Sequence, residues 1–356
     1  MKIKMTSLLL ASLTLTGCGG GSSSSSSNTG GNNGNETDKT LINSLEFADQ
    51  NLHKCVMAEA ENRDLTYAEE IYTLNCSELG INTIDGIEQL TELSSLDLIN
   101  NNLQQLDLSK NSELWYVDAQ QNEIYSVTLP HSNQLQFLTL TENALQTIDI
   151  SSSPNLERLT LANNKLSSIT WGDDHSAMTH LDIDMTLIRT LDLSLTPNLF
   201  DLSADSIPLN DLQTVPLNKL DTLDLFNTDI DVELSHFPNA RAFTLTPLTD
   251  TIDLSGNSEL KSLGVYGEAL TSIDIANLTK LERLVIWTEN VTDIDLSSNV
   301  ELTNLTIGPL SLNDLHIDNL NKLEEVDVSS ATLSQSTIDY LQAQSVSKGF
   351  SLTLLP

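Results

Sequence analysis

Leu93-Ser94-Ser95-Leu96-Asp97-Leu98-Ile99-Asn100-Asn101-Asn102-Leu103 is the stretch whose reading decides the fold. Its apolar residues obey L-x-x-L-x-L-x-x-N-x-L. The frame returns at Leu114, Leu135, Leu156, Met178, Leu199, Leu220, Ala240, Leu260, Leu281, Leu302 and Leu323, in steps of 20 to 22 residues. An earlier copy opens at Ile71, which makes thirteen units. Self-similarity at such a period is the mark of a solenoid. In each L-x-L the two apolar side chains share one face of an extended segment, because strand side chains alternate with period two. A second apolar pair follows in each coil, as in Leu106/Leu108, Ile148/Ile150, Leu191/Leu193, Ile273/Ile275 and Ile294/Leu296. One coil cannot bury these groups alone. Stacked coils turn them into a continuous aliphatic column.

The frame resembles that of leucine-rich repeat proteins over nearly all the chain after residue 70. The return segments Leu106-Asp107-Leu108-Ser109 and Leu191-Asp192-Leu193-Ser194 are similar to those of the 21-residue bacterial type found in internalin J-like surface proteins. The resemblance implies an α/β solenoid: a curved array of about thirteen coils with a parallel β-sheet on the concave face. Short extended or turn segments are expected on the convex face, with a helical cap at the N-terminus. One column departs from the pattern. The ninth position is Asn at Asn101, Asn122, Asn143 and Asn164, then Thr186, Ile207, Thr228, Leu248, Glu268, Glu289, Leu310 and Ala331. Asn there bonds turn backbone, so later coils need other partners for those groups. Parallel β-helices have coils of similar length, but the recurring phrase argues against them.

The ends carry an address and caps. Lys2 and Lys4 precede a short apolar run from Met5 to Thr16, and Leu15-Thr16-Gly17-Cys18 resembles a bacterial lipobox. That reading makes 1–17 a signal peptide and Cys18 the lipid attachment site, with Gly19 favouring the outer membrane. The run is too short to span a bilayer. Residues 18–40 read as a lipidated Cys and a Gly/Ser/Asn tether. Over 41–70, Leu41, Leu45, Ala48, Leu52, Cys55 and Val56 recur at helical spacing, and Thr66 with Glu69 suggests a capping box before a second short helix. Solenoid ends need such a cap because they expose the apolar column. Cys55 and Cys76 are the cysteines left after lipidation, and in an exported protein a disulfide between them is expected, two buried thiols being the alternative. The repeats run through 71–333, and 334–356 reads as a C-terminal cap with a helix followed by an apolar strand.

Without Lys2 and Lys4 the chain carries 14 basic against 50 acidic residues, a net charge near −36. Such a surface repels nucleic acid and anionic headgroups, so contact with the membrane is expected through the N-terminal lipid only. Many acids occupy the Asp of the return segment: Asp107, Asp149, Asp192, Asp253, Asp274 and Asp295. They read as a turn-bonding column rather than a calcium ladder. Asp173-Asp174-His175 lies in the one inserted turn and reads as a polar surface turn rather than a metal site. The sequence offers no H-E-x-x-H, no G-x-S-x-G and no phosphate loop, so neither catalysis, cofactor nor metal is expected.

The frame also sorts outward positions: the third, fifth and seventh residues of each unit should face away from the core. The third and seventh columns hold two aromatic-plus-arginine groups, Tyr116, Phe137 and Arg158 beside Trp115, and Phe226, Tyr266, Trp287 and Arg283. Aromatics and Arg on a rigid face are the usual composition of binding hot spots; rings folded over a neighbouring coil are the plain alternative. The expectation is a monomeric, membrane-anchored recognition or adhesion protein that binds a protein or carbohydrate ligand, most centrally through the second group. A periplasmic or envelope scaffold joining other proteins is the alternative.

Overall fold

The computed structural model describes residues 39–355 except 229, 311, 313, 314 and 330–332. The expected signal peptide, the expected lipid site Cys18 and nearly all of the expected tether therefore lie outside the described residues. Every unit of the frame contributes one strand to a single parallel sheet. It begins at Thr73–Asn75, continues through Ser95–Asp97, Tyr116–Asp118 and Phe137–Thr139, and ends at Glu325–Ser329 and Ser351–Leu355. Fourteen strands are hydrogen-bonded in this front sheet, the last one following the thirteen repeats. Register is set by the leucines: Leu74, Leu96, Val117 and Leu138 are consecutive partners, as are Leu181, Leu202, Leu223 and Phe243. A slip of one residue would turn this column outward, so burial holds the register. On the return side, Gln105–Asp107 pairs with Ser126–Thr128, Thr147–Asp149 with Ser168–Thr170, and Thr190–Asp192 with Asp211–Gln213.

Between the two sides a single apolar core runs from Ile42 to Phe350. Each buried Leu or Ile in it contributes roughly 1.5–3 kcal/mol relative to exposure. The return-segment aspartates form turns: Asp107, Asp149, Asp192, Asp253, Asp274 and Asp295 each accept the backbone N–H two residues on, at 2.8–3.0 Å. Their carboxylates serve the coil's own backbone.

Helix α1, Gln50–Arg63, closes the N-terminal end, started by Asp49, whose carboxylate accepts from Asn51 and Leu52. The Cys55–Cys76 disulfide joins this helix to the first repeat, with the Cα atoms 5.8 Å apart. The capping near Thr66 differs from the sequence expectation. Glu70, not Glu69, accepts from Thr66 N and Tyr67 N, and the element is one 3-10 turn, Ala68–Glu70. Glu69 instead accepts from Thr40 N. At the other end, helix α2 spans Gln335–Lys348, capped by the Ser334 hydroxyl.

His175 also departs from expectation. It is fully buried beside Trp171, ring centroids 5.4 Å apart, and its Nε2 accepts from Gly172 N. The inserted residue of this 22-residue coil wraps the turn around the imidazole, leaving Asp173 and Asp174 outside.

Candidate functional site

Along most front strands burial alternates as the frame requires: Ser95–Asp97, His180–Asp182 and Asp201–Ser203 each bury only the middle residue, whereas Tyr116–Asp118 buries Asp118 as well. The third, fifth and seventh positions of successive coils thus form three outward columns on one rigid surface.

The first expected group is brought together. Tyr116, Phe137 and Arg158 are successive register partners on neighbouring strands. Trp115 touches both rings, at 5.7 Å from each centroid, edge-on to Phe137. Tyr116 is half-buried near Asp97 and Asp118; burial and these two carboxylates push its phenol pKa up. Arg158 stays exposed.

The second group is brought together only in part. Phe226 and Tyr266 meet edge to face, centroids 4.8 Å apart, although one strand, Ala242–Leu245, lies between theirs. Tyr266 can lie down because Gly264 is bare: a Cβ there would stand 3.1 Å from the Tyr266 ring. Trp287 is the register partner of Tyr266 but covers Gly308, where an added Cβ would clash at 2.8 Å. Arg283 starts the strand that Trp287 ends, four residues or about 13 Å away along the sheet. The aromatic centre is therefore the Phe226–Tyr266 pair, with Trp287 and Arg283 apart from one another.

Between the two groups lies a feature that the aromatic columns did not announce. The fifth column places Asp182 and Asp224 on the strands to either side of Ser203, and Asp184, Asp201 and Asp205 crowd around them. Burial, then the charge of Asp184, pushes the Asp182 carboxyl up to about 6. Burial, with Asp184, Asp205 and Asp201 adding repulsion, pushes Asp224 up to about 7. Asp184 and Asp201 are raised as well, chiefly by burial. Burial and then Asp224 raise the phenol of Tyr266. His180, at the near edge, has its pKa lowered by burial and by Arg158. The signal was present in the sequence as Leu-Asp-aliphatic inside the strands, at Leu181-Asp182-Ile183 and Leu223-Asp224-Leu225.

Among the described residues, no group of three or more His, Cys, Asp or Glu side chains is arranged to hold a metal ion. No helix among them is long and apolar enough to cross a membrane.

No family profile and no curated protein matches the sequence. Solved structures do match. An internalin, InlF, from Listeria monocytogenes superposes with a TM-score of 0.65 at 21% identity, over 90% of this chain and 93% of that one. The functional domain of InlJ from Listeria monocytogenes gives 0.56 at 21% identity, over 82% of this chain and 76% of that one. A Leptospira interrogans leucine-rich repeat protein gives 0.58 at 15% identity, over 84% and 98%. The fold is the leucine-rich repeat solenoid. At these identities the likeness speaks to architecture, and the parallel β-helix is set aside.

Proposed function

We propose that this protein is a non-catalytic recognition or adhesion protein of a bacterial envelope, lipid-anchored through Cys18 in the outer membrane, which binds a protein or glycan on its front sheet as a monomer. The observation that carries the reading is the unbroken parallel sheet, on which the Phe226–Tyr266 pair stands on backbone fixed from both sides. A ligand meeting such a surface costs little ordering of the protein. Support for a protein partner comes from structures with similar folds: one is the LRIM1/APL1C complex, another the FLRT2 leucine-rich repeat domain within an octameric complex with Latrophilin 3 and Unc5D.

Two variants of the full chain test this reading. Cys18→Ala should move the protein from the membrane to the soluble fraction; retention in the membrane would remove the anchor. Phe226→Ala with Tyr266→Ala should weaken capture of surface proteins or glycans from binding arrays by roughly tenfold or more, as expected for an aromatic hot spot. Unchanged capture with an intact fold would remove the site.

A further inference from the structure

We propose that the coil from Ala240 to Glu259 opens a cavity that binds one branched aliphatic group of leucine size, carried on a small cationic ligand. The site lies behind the front sheet rather than on it, and it is independent of the recognition reading above.

The eleventh position of the frame is Leu, Ile or Val in every other coil. Leu166, Ile188, Leu209, Leu270 and Val291 hold it, each at most 1% exposed. In this coil the residue is Asp250. The coil is also short, with Ala240 and Leu260 standing 20 residues apart where 21 is the common step. A carboxylate cannot take the place of the missing aliphatic, because burial among hydrocarbon without a partner costs far more than exposure to water. Asp250 is accordingly exposed, while its backbone carbonyl accepts from Thr271 N at 2.9 Å. Ile230, which holds the eleventh position one coil earlier, loses its neighbour and is only partly buried. On the return side the ladder also stops here: Asp211–Gln213 pairs with Thr190–Asp192 and with no later strand among the described residues.

The space that an aliphatic side chain would fill stays open. A cavity of about 100 Å³ is walled by Leu225, Ile230, Val232, Leu234, Leu245 and Ile252. Thr249 and Thr251, on either side of Asp250, line its exposed mouth together with Asp231 and Asp253. Close-packed interiors hold few such voids, since wall atoms with nothing opposite them forfeit dispersion contacts. Apolar cavities of this order take up small hydrophobic molecules: about 150 Å³ walled by Leu, Ile and Phe binds benzene. The smaller space here suits a branched chain of the kind the column lacks. Pockets that enclose a whole ligand measure roughly 300–1,000 Å³, so an apolar tip enters and its carrier stays at the mouth. The mouth selects the carrier's charge. Asp231 and Asp253 stand there and no basic residue lines the cavity. The Ser255 hydroxyl and N–H hold the Asp253 carboxyl below its ordinary pKa, so it stays ionised. An ammonium group is attracted to these acids, and a carboxylate such as that of a fatty acid is repelled.

Methyl-detected NMR of the full chain tests this with isopentylammonium, isovalerate and methylammonium as probes. Isopentylammonium should bind with a roughly millimolar dissociation constant, as expected for so few atoms, and should show nuclear Overhauser contacts to methyl groups of Ile230, Val232 and Ile252. Isovalerate should bind roughly fivefold more weakly or worse. Methylammonium has no chain to insert and should show none of these contacts. Val232→Phe and Ile252→Phe fill the cavity from two different walls, and each should weaken isopentylammonium by roughly tenfold or more. Binding without contacts to those methyl groups, or of equal strength in both variants, would put the amine on the general acidic surface and overturn the proposal. Equal binding of isovalerate, or no binding of isopentylammonium, would overturn it too. The contacts are read in the unmodified chain, so the test stands even if a Phe variant does not fold.

Discussion

Coils up to Asn164 and coils beyond Ala240 satisfy the same backbone by different means. In the early coils each front strand has three residues and leaves the sheet through a left-handed residue, as at Asn100, Gln121, Glu142 and Asn163, with φ of 54–58°. The Asn that follows uses both ends of its amide. Asn164 donates to Leu140 O and Leu161 O and accepts from Leu145 N, all at 2.9–3.0 Å, so it ties its own coil to the preceding one. In the late coils Pro247 and Pro309 occupy the left-handed position. A proline ring holds φ near −65°, so that turn cannot form. In these two coils the strands run on to four residues, Ala242–Leu245 and Asn304–Ile307, and use the ladder itself; the five-residue strand Ser262–Tyr266 still leaves the sheet through a positive φ, of 98° at Gly267. The return-side asparagine, present in the early coils as Asn111, which donates to Ile87 O and Leu90 O, is kept in the late ones: Asn257 donates to Leu234 O and Phe237 O, and Asn299 to Ile275 O and Leu278 O. There only the amide N–H groups are used; Oδ1 of all three residues is buried without a partner in the protein. What the fold requires is that the groups between coils be paired, and the ninth-position Asn is one means of pairing them.

The largest test of this comparison is Asn164→Ala set against Glu268→Ala, the same frame position in a late coil. Removing the Asn164 amide strands three backbone groups in a buried position and should cost about 4 kcal/mol in denaturant unfolding. Glu268 is exposed, and its truncation should stay within about 0.5 kcal/mol. Similar costs at the two sites would break the distinction.

The disulfide belongs to the early end alone. Replacing Cys55 and Cys76 together by Ser opens a link of sequence separation 21 and should cost about 3 kcal/mol. Hydrogen exchange should then rise first in α1 and in the strands at Thr73–Asn75 and Ser95–Asp97, leaving the late strands protected. Uniform acceleration would mean that the two ends unfold as one unit and would blur the comparison.

Much of this was legible in the residues. The leucine frame placed the strands and the outward columns, because burial at period two leaves little freedom, and the cysteine count with an expected export pointed to the Cys55–Cys76 pair. Three features escaped for physical reasons. The left-handed turn depends on φ, and its loss could have been read only by setting Pro247 and Pro309 beside Asn100 and Asn163. The return-side asparagines were hidden in the L-S-x-N phrase of Leu254-Ser255-Gly256-Asn257 and Leu296-Ser297-Ser298-Asn299. The acidic cluster of the front sheet escaped because what distinguishes Asp182 and Asp224 is their burial, and composition records only that acids are common. The lean of Trp287 onto Gly308, away from Tyr266, depends on which neighbour lacks a Cβ, a choice made between coils.

Where the early pattern gives way to the late one, Asp182 and Asp224 set a dependence on pH. Asp182 and Asp224 have folded pKa values of about 6 and about 7, above the ordinary 3.8. The folded chain therefore holds protons that the unfolded chain has released. Stability from these groups falls as pH rises from about 4 to 7. His175 works the other way, since burial lowers its pKa and acid must charge a buried ring. In Asp182→Asn with Asp224→Asn the decline between pH 5 and 8 should flatten, with a gain of about 1–2 kcal/mol at pH 8 after solvent screening. An unchanged pH profile would show that the repulsion among these aspartates is already screened by water.

The smallest effect is expected at the junction itself. Thr186 is the first residue of the ninth column that is not Asn, and its buried hydroxyl donates only to Ile183 O of its own coil, at 2.8 Å. The tie between coils here has already passed to Asp184, whose carboxylate accepts from Ser203 Oγ and Asp205 N at 2.8 and 2.7 Å. Thr186→Val keeps the shape, removes one local hydrogen bond and should cost about 1 kcal/mol. Thr186→Asn offers the amide needed to extend the early ladder by one coil. If the late architecture were only a matter of missing asparagines, that substitution would stabilise the protein. With Asp184 already holding the neighbouring coil, the added amide finds its tasks taken, and no gain in the unfolding midpoint is expected.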